Sequence, residues 1–303
     1  MQIQKNIPLS DKNWFKTGGN ANFFCQPTTE SEFQQALKFA DSNNLNILTL
    51  GLGANILISD SGFNGLVINP KLNKIFIENN MITAQSGAFI QDLINFCLDN
   101  NFADLEEFSL IPGTVGGSVY INIHYINHKL SDFLVKAKII NKKTGETLSV
   151  SKDWFDFGYD KSKLQEKEYF LIDATFKLKK VDAIQTAYAK GRRDEIIRHR
   201  KNRYPYSNTC GSFFRNFYPE EINFEINGKK ITAVAYYLDK IGIKGELRVG
   251  NAIVSSQHAN MIVTLPGAKS CDVLNLAKKM QQLVFDKFGV KPVSECQIIG
   301  ERL

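Results

Sequence analysis

The chain has 303 residues, a length at which one core usually gives way to two, and its 43% hydrophobic, 22% charged and 11% aromatic composition excludes intrinsic disorder. A net charge of +6 attracts phosphate-bearing molecules without specifying one. No stretch approaches the ~18 apolar residues of a membrane span, and residues 1–16 hold no apolar run of signal-peptide type, so a cytoplasmic protein that engages no membrane is expected.

In chain order, "TTESEFQQALKFADSNN" (28–44) opens with a capping box, Thr29 with Glu32, and places Phe33, Ala36, Leu37 and Ala40 on one helical face. "LNILTL" (45–50) and "NILIS" (55–59) are runs of strand length separated by "GLGA". A helix at about 87–99 gathers Phe89, Ile90, Leu93, Ile94 and Cys97. "FLVKAKIINKKTGETLSV" (133–150) reads as a hairpin turning at "KKTGE", and "EYFLIDATFKLKKV" (168–181) as further strand. Residues 183–204 form a charged helix that bridges into a second domain. The final helix, 271–288, carries Val273, Ala277, Met280, Val284 and Phe288 on one face, with Ser270 able to cap its start and Gly289 following its end. The expected division is 1–185 and 186–303, both α+β.

The five cysteines are odd in number, dispersed and never in a CxxC pair, which argues against a disulfide framework or a thiolate metal site. His124 and His128 lack acidic neighbours in the sequence and read as two loop histidines, so no metal is expected. Two glycine-rich stretches stand out. In "LGLGAN", Gly51 and Gly53 are followed by Ile56 where a dinucleotide fingerprint needs its third glycine; "IPGTVGGSV" (111–119) matches neither that fingerprint nor a phosphate loop. Glycine backbone still lets amides approach a phosphate closely, and two such loops in one domain suit a long diphosphate cofactor.

"GLGANILISDSGFNGLVI", "IPGTVGGSV", "GSFFRN" and "GVKPVSE", in this order and spacing, resemble the UDP-N-acetylenolpyruvoylglucosamine reductases, the MurB family, from "NWFKTGG" to the terminal "IIGERL". The resemblance implies an FAD-binding domain of the vanillyl-alcohol-oxidase/PCMH type followed by a smaller α+β substrate-binding domain. It implies FAD and NADPH as cofactors and a UDP-sugar as substrate, with no nucleic acid and no obligate protein partner. Gly51, Leu52, Gly53, Ala54 and Asn55 would line one side of the FAD diphosphate; Ile111, Gly113, Thr114, Gly116, Gly117, Ser118 and Asn122 would line the other, with Ile172 near the ring. Ser212 matches the family's proton donor and Glu295 its C-terminal acid. Arg215, Asn216 and Tyr159 match substrate-contacting positions. Arg200 and Arg203, from the run "GRRDEIIRHRKNR", are candidates for the UDP diphosphate.

The chain departs from the family in four places. Ala54 replaces a serine and Phe217 a proline, and Ile123, His124 and Tyr125 replace small residues. Asp160 stands at the position of the arginine that polarises the substrate carboxylate, with Lys161 as a substitute cation that lacks a guanidinium's paired donors. Three readings stay open at this point. They are the reductase with a divergent site, a related flavoprotein acting on another substrate, and a non-enzymatic phosphate- or nucleic-acid-binding protein.

Overall fold

The computed structural model describes residues 1–300; the last three residues of "IIGERL", 301–303, lie outside the described residues. The chain divides into two compact units, each assembled from several stretches. The first comprises Met1–Asn6, Asn22–Leu52 and Asn64–Arg200, and the second Ile7–Ala21, Gly53–Phe63 and Lys201–Leu303. The division therefore is not a single cut near residue 185. Residues 7–21 and 53–63 join the second unit because their backbones bond to one another and to its last strand: Trp14 N–H donates to Gly53 O at 3.0 Å, and Ile56–Ile58 pairs in parallel with Gln297–Ile299.

In the first unit an antiparallel sheet runs in the order Thr147–Ser151, Leu134–Asn141, Tyr169–Phe176, Met81–Gln85, Ile75–Glu78. The expected hairpin is its edge pair, with Ile139 opposite Leu148. A second sheet contains the parallel pair Ile47–Thr49 and Phe63–Ile68. Helix α1 (Glu30–Ser42) buries Phe33, Ala36, Leu37 and Ala40 in a cluster shared with Leu66 and Ile68 of one sheet and Ile140, Phe170 and Ile172 of the other. Its predicted capping box forms by half: Thr29 Oγ1 accepts the Glu32 amide at 3.2 Å, but the Glu32 carboxylate turns to the Thr28 amide and hydroxyl, both at 2.7 Å. Those two bonds, led by the backbone one, hold the Glu32 carboxyl down at about 2. Helix α2 (Ile90–Asp99) buries Ile90, Leu93, Ile94 and Cys97, with Val115 and Val119 of the short helix α3 (Val115–Ile121) in the same core. The charged helix α4 (Ala183–Arg203) buries Thr186, Ala189 and Ile196 and turns its charges outward, Arg192 gripping Glu107 through two hydrogen bonds of 2.8 and 3.1 Å.

In the second unit a three-stranded antiparallel sheet, Arg248–Val249, Ala252–Val254 and Ile262–Thr264, shares a core with helices α5 (Val234–Ile241) and α6 (Ser270–Phe288). Helix α6 ends as expected, at Gly289 with φ 71°, a conformation glycine adopts without strain. Its start differs from expectation. Ser270 lies inside the helix, with its hydroxyl donating to Ile58 O at 2.5 Å, and the cap comes from Asp60, whose two carboxylate oxygens accept the Ser270 and Cys271 amides at 2.8 and 2.9 Å. A helix N-terminus favours a carboxylate, and here a distant loop supplies it.

Candidate functional site

In the first unit the two glycine-rich stretches meet. A Cβ built on Gly51 would lie 2.5 Å from Thr114 Oγ1, a separation no real side chain shows. Thr114 is the N-cap of α3, and its Oγ1 accepts the Gly117 amide at 3.2 Å. The Gly51 end is braced by Asn69, whose Nδ2 donates to Leu50 O at 2.6 Å and Gly51 O at 2.9 Å. Gly116 is bare for a packing reason: its amide donates to Ser86 O at 2.8 Å, and an added Cβ would stand 3.0 Å from that same oxygen. Gly113 and Gly117 are different. A Cβ there would meet only Ser118 Oγ at 3.4 Å and Thr114 Oγ1 at 3.6 Å, ordinary contact distances, so neighbouring backbone does not press on them. Ser86 is 5% exposed, and its Oγ is buried with no hydrogen-bond partner among the described residues. An orphaned hydroxyl beside open glycine backbone and the buried hydroxyls of Thr114 and Ser118 fits a ligand rich in acceptor oxygens, the chemistry of a diphosphate.

Other expected cofactor contacts have structural partners. Asn122 caps α3 at φ 51°, is 2% exposed, donates to Gly158 O at 3.0 Å and accepts the Ser131 amide at 3.0 Å. Ile172 is 1% exposed within the α1 core, and it reaches the loop through its carbonyl, which accepts the Ser86 amide at 2.8 Å. Ile111 packs against the α2 core, its amide bonded to Phe108 O at 3.1 Å. Leu52 is half-buried. Ser86 and Asn69 were missed by sequence reasoning; each is an ordinary polar residue in a turn or at a strand end, with only tertiary position to mark it.

The segment of altered residues is a small hairpin, His124–Tyr125 paired with His128–Lys129. The absence of an acidic partner for His124 is corrected by the fold: its Nδ1 lies 3.3 Å from Asp160 Oδ1, and its ring is 4.6 Å from that of Tyr159. Asp160 has φ 51°, and its Oδ2 is buried without a hydrogen-bond partner among the described residues. Lys161 bonds Asp156 at 2.8 Å. Arg200 lies 5.3 Å from the Tyr125 ring centre.

In the second unit Ser212 and Glu295 come together on neighbouring backbone. Ser212 bridges Met261, while the carbonyl of the next residue, Phe213, accepts the amides of Glu295 at 2.9 Å and Cys296 at 3.2 Å. Phe213 and Phe214 are buried, anchoring the segment that carries Ser212. Asn55 joins this group through Nδ2, which donates to Glu295 O at 3.5 Å, and its Oδ1 is buried with no hydrogen-bond partner among the described residues. Gly53, with φ 67°, is required for packing, since a Cβ would overlap the Lys12 carbonyl; Ala54 beside it is half-buried. Arg215 makes a bidentate pair with Glu221 at 2.6 and 2.8 Å, which holds the Glu221 carboxyl below the usual range, and Asn216 Oδ1 accepts the Val234 amide at 3.3 Å at the start of α5. Arg203 lies over the Tyr204 ring, and Tyr204 stands edge-on to His258. Burial, with help from Arg203, lowers His258 to about 4. Burial and the adjoining Cys296 push the Cys210 thiol up, away from reactivity.

Comparison with known proteins covers both units. Residues 21–151 match the FAD binding domain family, and residues 202–299 match the C-terminal domain of UDP-N-acetylenolpyruvoylglucosamine reductase. The chain is 31% identical over 302 residues to the UDP-N-acetylenolpyruvoylglucosamine reductase of Clostridium novyi, covering 99% of this chain and 93% of that one. To the enzyme of the same name from Listeria innocua it is 33% identical over 301 residues, covering 99% and 95%. Its fold matches the crystal structure of the Thermus caldophilus reductase with a TM-score of 0.81 over 99% of each chain, at 24% identity. The architecture is thus an α+β FAD-binding domain of the PCMH type joined to a reductase-type C-terminal domain, and the chain belongs to the UDP-N-acetylenolpyruvoylglucosamine reductase family.

Proposed function

We propose that this chain uses NADPH to reduce the enolpyruvyl ether of UDP-N-acetylglucosamine enolpyruvate to UDP-N-acetylmuramate, a step in supplying peptidoglycan precursors. The observation that carries this reading is the meeting of Ser212 and Glu295, far apart in sequence, at the Phe213 carbonyl, with Asn55 beside them. FAD, when bound, supplies the ring that accepts and passes on hydride. The chain's residues bind, orient and move a proton. The backbone at Gly113 and Gly117, with Thr114, Ser118 and Ser86 Oγ, holds the diphosphate; Ser212 Oγ–H delivers a proton to the carbon beside the substrate carboxylate. Glu295 supports that proton delivery, and Arg200 and Arg203 attract the UDP diphosphate. No helix among the described residues is long and apolar enough to cross a membrane.

The test is anaerobic stopped-flow spectroscopy of the flavin-loaded protein. NADPH is expected to bleach the flavin absorbance, and UDP-N-acetylglucosamine enolpyruvate to restore it. A colourless protein that cannot be reconstituted with FAD would sink the reading. The Asp160–His124 pair favours a second reading, a flavoprotein of altered substrate choice. Flavin that NADPH bleaches but the enolpyruvyl substrate does not restore would select it.

A further inference from the structure

Two substitutions that look independent in the sequence are one structural unit. His124 and Asp160 come from a hairpin and a turn whose backbones are held together by Asn122, through Gly158 O, and by Gln165, whose Nε2 donates to both Asp160 O at 2.7 Å and Tyr120 O at 3.3 Å. The Asp160 side chain is only 14% exposed and its Oδ1 lies 3.3 Å from His124 Nδ1, while 26% of the His124 side chain remains exposed. An aspartate on Nδ1 fixes the tautomer and rotation of the ring and directs Nε2 away from itself. The Tyr159 ring packs against the imidazole and restricts it further. The surroundings are cationic: Lys129 is the cross-strand partner of His124 and so projects on the same face, and Arg200 lies on the ring of Tyr125 next in sequence.

We propose that His124, oriented by Asp160, binds the carboxylate of the substrate, donating Nδ1–H to Asp160 and Nε2–H to the carboxylate oxygen. Placed on Nδ1, Asp160 supports the carboxylate contact at Nε2 instead of repelling it. His124 is the contacting residue and Asp160 a positioning residue. The inference rests on the reductase reading, since the ligand is that reaction's acidic sugar nucleotide.

The experiment compares two ligands that differ by the acidic ether, UDP-N-acetylmuramate and UDP-N-acetylglucosamine, by calorimetric titration of the FAD-loaded full chain, alongside turnover of the enolpyruvyl substrate. Wild type is expected to bind the acidic ligand at least about tenfold more tightly than the neutral one, the value of one charge-assisted hydrogen bond. His124→Ala should erase that preference with affinity for UDP-N-acetylglucosamine retained. Asp160→Asn should erase part of it, and the double variant should lose no more than His124→Ala alone, a non-additivity that a purely structural role would not produce. Flavin absorbance per chain confirms that each variant is folded. A preference unchanged in His124→Ala, in an enzyme that turns over its substrate, overturns the inference and leaves the reductase reading intact. Additive losses overturn the pairing. A wild type that neither turns over nor binds either ligand removes the reductase reading and this inference with it.

Discussion

Gly51 and Thr114, one from each glycine-rich stretch, approach so closely that no side chain fits between them. The hydroxyl in the way is also the one that caps α3 through the Gly117 amide. Gly51→Ala therefore forces a choice between displacing the 51–52 backbone and turning Thr114 off its cap. We expect a loss of about 1–3 kcal/mol, the usual cost of overpacking, and a chain purified with much less flavin. Thermal unfolding and the visible absorbance per chain check both; full flavin content and unchanged stability would contradict the cradle.

Ser212→Ala removes a hydroxyl and little else, because the segment is anchored by the buried Phe213 and Phe214. Flavin reduction by NADPH should be unchanged, while reoxidation by the enolpyruvyl substrate slows by about 10²–10⁴, the range for losing a general acid. Equal slowing of the two half-reactions would assign Ser212 to positioning instead.

Asp60 caps α6 from a loop more than two hundred residues earlier, through the Ser270 and Cys271 amides. Asp60→Ala should lower stability by about 1–2 kcal/mol, seen as a lower urea midpoint at constant slope. Ser270→Ala tests the alternative assignment. It loses the Ile58 bond, so its effect should be similar in size and arise without exposing the helix amides.

His258 is held below its ordinary value of 6.5, at about 4, by burial first and Arg203 second. The unfolded chain therefore takes up this proton before the folded chain does. Its contribution to stability is complete above about pH 6.5 and declines as pH falls toward 4. His258→Gln should flatten that decline relative to wild type when denaturant midpoints are compared across pH 4–7; parallel profiles would refute the assignment.

Periodicity sufficed for α1, α2, α6 and the 134–151 hairpin because their apolar positions repeat at 3.6 or 2 residues over long windows, and burial follows that repeat except at Phe89, which is the exposed N-cap of α2 and not part of its buried face. The motif order sufficed for the family and the cofactor class. Single residues whose roles come from distant neighbours were not legible: Asp60 in place of Ser270 as the cap, Ser86 under Gly116, and Asp160 against His124. A side chain's hydrogen-bond partner depends on where the chain returns in space, and no local window contains that information.

What the sequence determined by itself is therefore the long periodic elements and the family. Only the tertiary structure decided that segments 7–21 and 53–63 belong with the C-terminal half, since strand 56–58 finds its hydrogen-bond partners at 297–299. It also decided which glycines are bare because neighbouring protein presses on them and which have no backbone against them. Gly51, Gly53 and Gly116 face protein at distances that exclude a Cβ or force its neighbours to yield, and Gly113 and Gly117 do not. That distinction is steric, set by how closely two segments pack, and glycine is written with the same letter in both cases.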